Sequence, residues 1–245
     1  MATNSLTRID EFREVLADYH LSDDAKRALA DIQLALLVGP SSSGRNTIIN
    51  HLVRLGGYHS VVSDTTRKPR VNNGVLEQDG REYWFRSEDE ILEDLHAGRF
   101  LEAAIIHNQQ VSGISIRELQ LAANEHQVAI NEIEVKGADS IRAINPHTRF
   151  IFVLPPSFDE WMARMYQRGE LPADEKKRRL ESAAFEIATA LDRDTFVVND
   201  TFVHAAVRID DVIRGNGSQA DDQDAAKALA RELLYDTEAH LASLK

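Results

Sequence analysis

From residue 33 to residue 214, short apolar runs alternate with amphipathic stretches. Gln33 to Val38 is a mainly apolar run, the pattern of a strand buried on both faces of a parallel sheet. Further strand-like runs fall at 58–63, 100–106, 127–134, 149–154 and 195–198. Helical patterns fall between them, at 87–97, 115–125, 136–144, 157–168, 175–192 and 201–214. Thr47 to Leu55 is also amphipathic and stops at Gly56-Gly57, a natural helix end. Alternation of this kind predicts an α/β fold with a parallel core sheet flanked by helices. The stretch 64–86 breaks the rhythm. It is rich in Thr, Arg, Asn and Gly, and it ends in Tyr83-Trp84-Phe85. An irregular insertion with short antiparallel strands is expected there.

The two ends carry helical patterns of their own. Ile9, Phe12, Leu16 and Tyr19 fall at helical spacing, and Ser22 is placed to cap a second short helix reaching Leu29 and Ile32. Gly215 to Asp222 reads as a polar linker. Beyond it, Ala226, Leu229, Leu233, Leu234, Leu241 and Leu244 mark a terminal helix whose apolar stripe needs a partner. Two partners are open: the N-terminal helices, or a second copy of the chain. The expected organisation is a helical extension at 1–31, one main domain at 32–214, and a linker with a terminal helix at 215–245.

Charge narrows the partners. The chain has 28 Lys+Arg against 40 Asp+Glu, a net charge of -12. That argues against nucleic acid and anionic membranes, which need a basic patch. It leaves nucleotides open, because a phosphate site needs only a few local cations. Cysteine is absent, which excludes disulfides and thiolate metal sites. The nine histidines show no paired-ligand spacing. Met1 to Arg13 does not read as a signal peptide, and no run approaches the ~18–20 apolar residues of a membrane helix. A cytoplasmic monomer or homodimer is expected.

The sharpest local feature is the loop Gly39-Pro40-Ser41-Ser42-Ser43-Gly44-Arg45-Asn46-Thr47. Its two glycines match the phosphate-binding pattern G-x-x-x-x-G-K-[ST], between a strand and a helix. Glycine permits the tight turn, backbone N–H groups turn toward phosphate, and the helix N-terminus adds its dipole. Arg45 replaces the usual lysine and keeps a cation there, with a wider planar fork. Asn46 replaces the hydroxyl that binds metal; its carbonyl oxygen is a weaker ligand, and Thr47 carries a hydroxyl one position late. Three serines crowd the loop, but the G-x-S-x-G spacing of a serine hydrolase is absent.

Downstream residues add to this picture. Arg67 and Arg70 flank Pro69 in a hydroxyl-rich loop, a rigid fork for phosphate. Glu102 interrupts the apolar run F-L-E-A-A-I-I, where a carboxylate is costly unless partnered. Arg164 and Arg168 share a helix face, and Arg179 follows a short lid-like segment. Such arginines suit phosphoryl transfer, which rests on positioning and charge neutralisation. Glu132 and Glu134 end a strand two residues apart and so point to one side.

Ser63-Asp64-Thr65-Thr66-Arg67-Lys68-Pro69-Arg70, Phe100-Leu101-Glu102, Arg164, Arg168-Gly169, Arg178-Arg179-Leu180 and Val198-Asn199-Asp200 stand in the order of matching segments in guanylate kinases. Over about residues 33–214 the chain resembles that family. The resemblance implies a P-loop NTPase fold with a small mixed GMP-binding region at 64–115 and a helical lid at 164–180. It implies an ATP:GMP phosphotransferase that converts GMP (or dGMP) to GDP with Mg²⁺, its partners being ATP and GMP. Ser63 and Glu102 would recognise guanine. Arg67, Arg70 and Tyr83 would hold the GMP phosphate. Arg45, Arg164, Arg168 and Arg179 would neutralise the phosphates in flight, and Asn199 would lie by the adenine. Glu132 and Glu134 stand where the family carries aspartates near GMP and metal. Asn46 or Thr47 would complete the metal site.

The chain also departs from the family. The loop between Arg70 and Tyr83 is longer. Val111 to Ser115 replaces a Tyr-Gly-Ser/Thr segment, so Ser112 or Ser115 would have to substitute. A catalytically weakened module binding nucleotide or protein is the alternative that Arg45-Asn46 leaves open.

Overall fold

The computed structural model describes residues 6–72, 74–133, 141–167, 172–193, 195–216 and 221–244. Glu134, Arg168 and most of the expected helix at 136–144 lie outside these; residues 141–144 are helical. The chain divides into two compact units.

The first unit holds residues 1–33, 59–129 and 140–147. The N-terminal patterns form α1 (Ile9–Ala17) and α2 (Asp23–Ala30), and Ser22 caps α2 by accepting from the Ala25 N–H at 3.2 Å. Phe12 of α1 is fully buried in a cluster with Ile91, Leu92, Leu95, Phe100 and Val111. Those residues come from α4 (Glu88–His96), β7 (Phe100–Ile106) and β8 (Gln110–Ser115). The Tyr19 hydroxyl donates to the Phe100 carbonyl at 2.7 Å and accepts from the Phe100 N–H at 2.7 Å. Burial pushes that hydroxyl up to about 12. The N-terminal extension is thus part of this unit's core.

The unit's sheet runs β6-β3-β8-β7, with β3 at Asp64–Thr65 and β6 at Trp84–Phe85. A separate hairpin joins β4 (Val71–Asn72) to β5 (Val75–Leu76). The region 64–86 is therefore irregular as expected, but not purely antiparallel: β3 pairs antiparallel with β8 and parallel with β6. Strand β8 has no counterpart in the sequence reading, because Ser112 and Gly113 break its apolar alternation. Ser115 then caps α5 (Ile116–Asn124).

The second unit holds residues 34–58, 130–139 and 148–245. Its sheet has the order β11-β10-β1-β9-β2. These are β1 (Leu34–Val38), β2 (Tyr58–Ser60), β9 (Val128–Glu132), β10 (Arg149–Leu154) and β11 (Thr195–Val198). β10 pairs parallel with both β1 and β11. Every residue of β1 is buried, as a central parallel strand requires. Around the sheet lie α3 (Arg45–Leu55), α6 (Phe158–Gln167), α7 (Ala173–Ala190) and α8 (Phe202–Arg214). The terminal helix α9 (Gln223–Ser243) packs on α7, β11 and α6. Its buried residues Ala226, Ala230 and Leu233 supply the apolar stripe. The cover of these residues is α7, β11 and α6, which the sequence reading did not name, because the period of a helix shows which face is apolar and not what covers it.

Candidate active site

The glycine loop lies in the second unit. β1 ends at Val38 and α3 starts at Arg45, so the loop connects the C-terminal end of a buried strand to a helix N-terminus. Both glycines are required by close approach. Gly39 has φ 137°, and a Cβ there would lie 2.5 Å from the Val153 carbonyl oxygen. Gly44 has φ 97°, and a Cβ there would lie 2.3 Å from Asn199 Nδ2. The loop's carbonyls turn into the protein: Trp161 Nε1 donates to Ser41 O at 2.8 Å, and Asn199 Nδ2 donates to Ser43 O at 2.7 Å. The first N–H groups of α3 have no partner within the helix and make a positive end. Ser42 Oγ, Ser43 Oγ and Asn199 Oδ1 are buried without a hydrogen-bond partner among the described residues. Together these features suit an anion.

Arg164 of α6 and Arg179 of α7 both reach the loop region. Arg164 donates from Nη2 to the Asn199 carbonyl at 3.1 Å and from Nε to Glu160 at 3.1 Å. Arg179 is held by Glu175 at 2.8 Å, and its Nη1 lies 3.5 Å from Ser41 Oγ. Arg178 also pairs with Glu175. A cavity of about 620 Å³ is lined by Ser42, Gly44, Thr47, Arg164, Asn199 and Phe202, among others. That is a size suited to a small ligand.

The two unusual loop residues share one partner. Arg45 Nε lies 3.4 Å from Glu132 Oε2, and Arg45 Nη1 donates to Ile133 O at 3.4 Å. Asn46 Nδ2 donates to Glu132 Oε1 at 3.1 Å. The amide of Asn46 is thereby oriented, with its Oδ1 as the remaining hard oxygen. Among the described residues no three His, Cys, Asp or Glu side chains are grouped to hold a metal. A single carboxylate and an amide oxygen nevertheless fit Mg²⁺, which keeps several waters and takes phosphate oxygens for the rest.

The other predicted site residues lie in the first unit. Arg67 is buried, and its guanidinium forks onto Glu77, Nη1 to Oε2 at 2.5 Å and Nη2 to Oε1 at 2.9 Å. Its Cζ lies 4.5 Å from the centroid of the Tyr83 ring. Glu77 Oε2 also accepts from the Arg70 N–H at 2.8 Å, while the Arg70 side chain is exposed. Glu77 so joins Arg67, Arg70 and Tyr83 into one group. Ser63 and Glu102 are half-buried, and the Ser63 carbonyl accepts from the Trp84 N–H at 2.9 Å. The two serines expected to substitute for lost contacts are already used. Ser112 Oγ donates to the Asp64 carbonyl at 2.9 Å, and Ser115 is a buried helix cap. Ser112 so ties β8 to β3, and Ser115 holds the first turn of α5.

One residue escaped the sequence reading altogether. Glu118, in the first turn of α5, is fully buried. It accepts from the Val62 N–H at 2.8 Å and Trp84 Nε1 at 2.7 Å, and pairs with His59 Nε2 at 2.8 Å. Burial works against its charge, but the donations from His59, Val62 and Trp84 outweigh it and hold its carboxyl below the ordinary range. The same contact raises the His59 imidazole above its ordinary value. A glutamate just inside a helix N-terminus looks like an exposed dipole partner in sequence.

A buried parallel strand, a glycine-bounded loop, a helix N-terminus and inward-facing arginines define a P-loop α/β nucleotide-binding protein. The sequence model of the guanylate kinase family matches residues 32–216, and the chain belongs to that family. It is 36% identical over 179 residues to a guanylate kinase of Nocardia farcinica, covering 72% of this chain and 91% of that one. It is 34% identical over 193 residues to a guanylate kinase of Bifidobacterium longum, covering 74% and 93% respectively. Among solved structures, it is similar to the guanylate kinase from Anaplasma phagocytophilum, with a TM-score of 0.54 and 26% identity. That match covers 76% of this chain and 86% of the other.

Proposed function

We propose that the chain catalyses ATP-dependent phosphorylation of GMP to GDP, with the loop group as donor site and the Arg67 group as acceptor site. The observation that carries this reading is the loop itself: its carbonyls are tied inward by Trp161 and Asn199, and arginines 164 and 179 stand beside it. An acceptor phosphate oxygen attacks the γ-phosphorus of ATP in line. One P–O bond forms as the bond to the β–γ bridging oxygen breaks, leaving ADP. Charge on the transferring group is met by Arg45, Arg164, Arg179 and the N–H groups at the start of α3, since this reaction gains most from positioning and electrostatics. Glu132 and Asn46 Oδ1 would hold Mg²⁺, which supplies further neutralisation of the ATP phosphates. Arg70, exposed beside the Arg67–Glu77 pair, presents its guanidinium to the GMP phosphate, and Ser63 and Glu102 take the guanine. The reaction is assigned to the cytoplasm, where both nucleotides are available.

Neither the family matches nor the loop geometry favours the alternative of a weakened binding module. The discriminating assay supplies ATP and Mg²⁺ with GMP, dGMP, AMP, CMP or UMP in turn and follows ADP release. Turnover is expected with GMP and is expected to stop when a chelator removes the metal. Stabilisation by GMP without turnover on any acceptor would overturn the enzyme reading. Turnover with AMP but not GMP would overturn the role of Glu102.

A further inference from the structure

Strand β11 ends the sheet, so its outer backbone groups have no neighbouring strand among the described residues. Two side chains from beyond the family match take that place. Gln223 binds both groups of Phe196, accepting from its N–H at 2.9 Å and donating to its carbonyl at 3.0 Å. Asp221 Oδ2 accepts from the Val198 N–H at 2.9 Å. Arg208 closes the group: Nη2 donates to the Val198 carbonyl at 2.6 Å, and Nε lies 3.4 Å from Asp221 Oδ2.

The next residue is Asn199. Its N–H donates to Leu154 O at 2.7 Å, its carbonyl accepts from Arg164, and its amide supports Ser43 O of the phosphate loop. Asn199 Nδ2 also fills the space where a Cβ on Gly44 would stand, so a small shift of this side chain bears directly on the loop. We infer that Asp221 and Gln223 are positioning residues: they act as a surrogate edge strand that fixes the Val198–Asn199 corner and, through it, the donor loop and Arg164. The family match ends at residue 216, so this device belongs to the C-terminal segment. The inference rests on the donor-site reading given above.

Edge protection alone would affect stability without affecting ATP. The test measures the Kd of ATP by calorimetry, KM for ATP and for GMP, and the thermal midpoint, in Q223A, D221A, D221N and N199A of the full chain. Q223A keeps a strong helix former in α9, so its effect reports on Phe196 rather than on the helix. Q223A and D221A are expected to weaken ATP binding about threefold to tenfold, the scale of one lost buried hydrogen bond. KM for GMP is expected to stay within about twofold. D221N, which keeps an acceptor for Val198, is expected to lose less than D221A. A lower midpoint with unchanged ATP affinity would overturn the inference and leave edge protection. Unchanged ATP affinity in N199A would overturn the donor-site reading itself. If D221A does not fold, Q223A decides by the same criterion.

Discussion

Replacing Glu118 by alanine removes a carboxylate that holds three donors from two separate chain segments. His59 Nε2 and the Val62 N–H share Oε1, and Trp84 Nε1 takes Oε2. Glu118 has 1% of its side chain exposed and His59 22%. Breaking a buried pair costs about 3–5 kcal/mol, because the surviving partner stays uncompensated. His59, Val62 and Trp84 are only half-buried, so water recovers part of the loss and about 3 kcal/mol is expected. For a chain of this size that corresponds to roughly 6–12 °C in the unfolding midpoint. Function should follow stability in one direction only. Val62 leads into Ser63, and the Trp84 N–H is bonded to the Ser63 carbonyl, so KM for GMP should rise while KM for ATP holds. The pH dependence has a defined sign. The depressed Glu118 pKa contributes stability that is present above the ordinary carboxylate value of 4.5 and lost as pH falls through its lower folded value. The raised His59 pKa contributes stability that is full below 6.5 and lost as pH rises through its folded value. The gap between the parent and Glu118→Gln is therefore widest between those two values and narrows on either side. Urea unfolding at several pH values measures it. A loss below about 1 kcal/mol for the alanine variant would place this group with exposed ion pairs and refute the reasoning.

Glu77→Ala should leave the buried Arg67 guanidinium without its fork partner, at a cost of about 3–5 kcal/mol, and should raise KM for GMP. Denaturant unfolding with steady-state kinetics checks both, and an unchanged KM for GMP would remove Arg67 from the acceptor site. Arg45→Lys should keep or raise kcat, because the Arg45 contacts to Glu132 and Ile133 are both long, at 3.4 Å. A large loss of kcat would show a pocket rebuilt around the guanidinium.

Much of the scaffold was legible because it depends on local chemistry. Apolar periodicity located β1, β7, β10 and β11 closely, and placed α3 to stop at Gly56. The loop was legible because a tight turn against Val153 and Asn199 demands glycine at 39 and 44. β8 was missed because Gly113 and Ser112 carry no apolar signal, although the strand pairs with β7 along its length.

Partners were not legible. Ser112 and Ser115 read as candidate ligand contacts, and their bonds to Asp64 and to the first turn of α5 could not be read from the sequence. The stripe of α9 was plain in the sequence, but its cover, α7 and β11, was not. Glu118, Asp221 and Gln223 read as ordinary polar positions, yet Glu118 holds the Val62 N–H, and Asp221 and Gln223 hold the Val198 and Phe196 backbone. By itself the sequence determined most of the core elements, the glycine loop and the family, since these follow from backbone conformation and residue order. Only the tertiary structure decided which charges are buried and what each one holds. A hydrogen bond or ion pair draws its strength from distance and exclusion of water, and both are set by residues far apart in the chain.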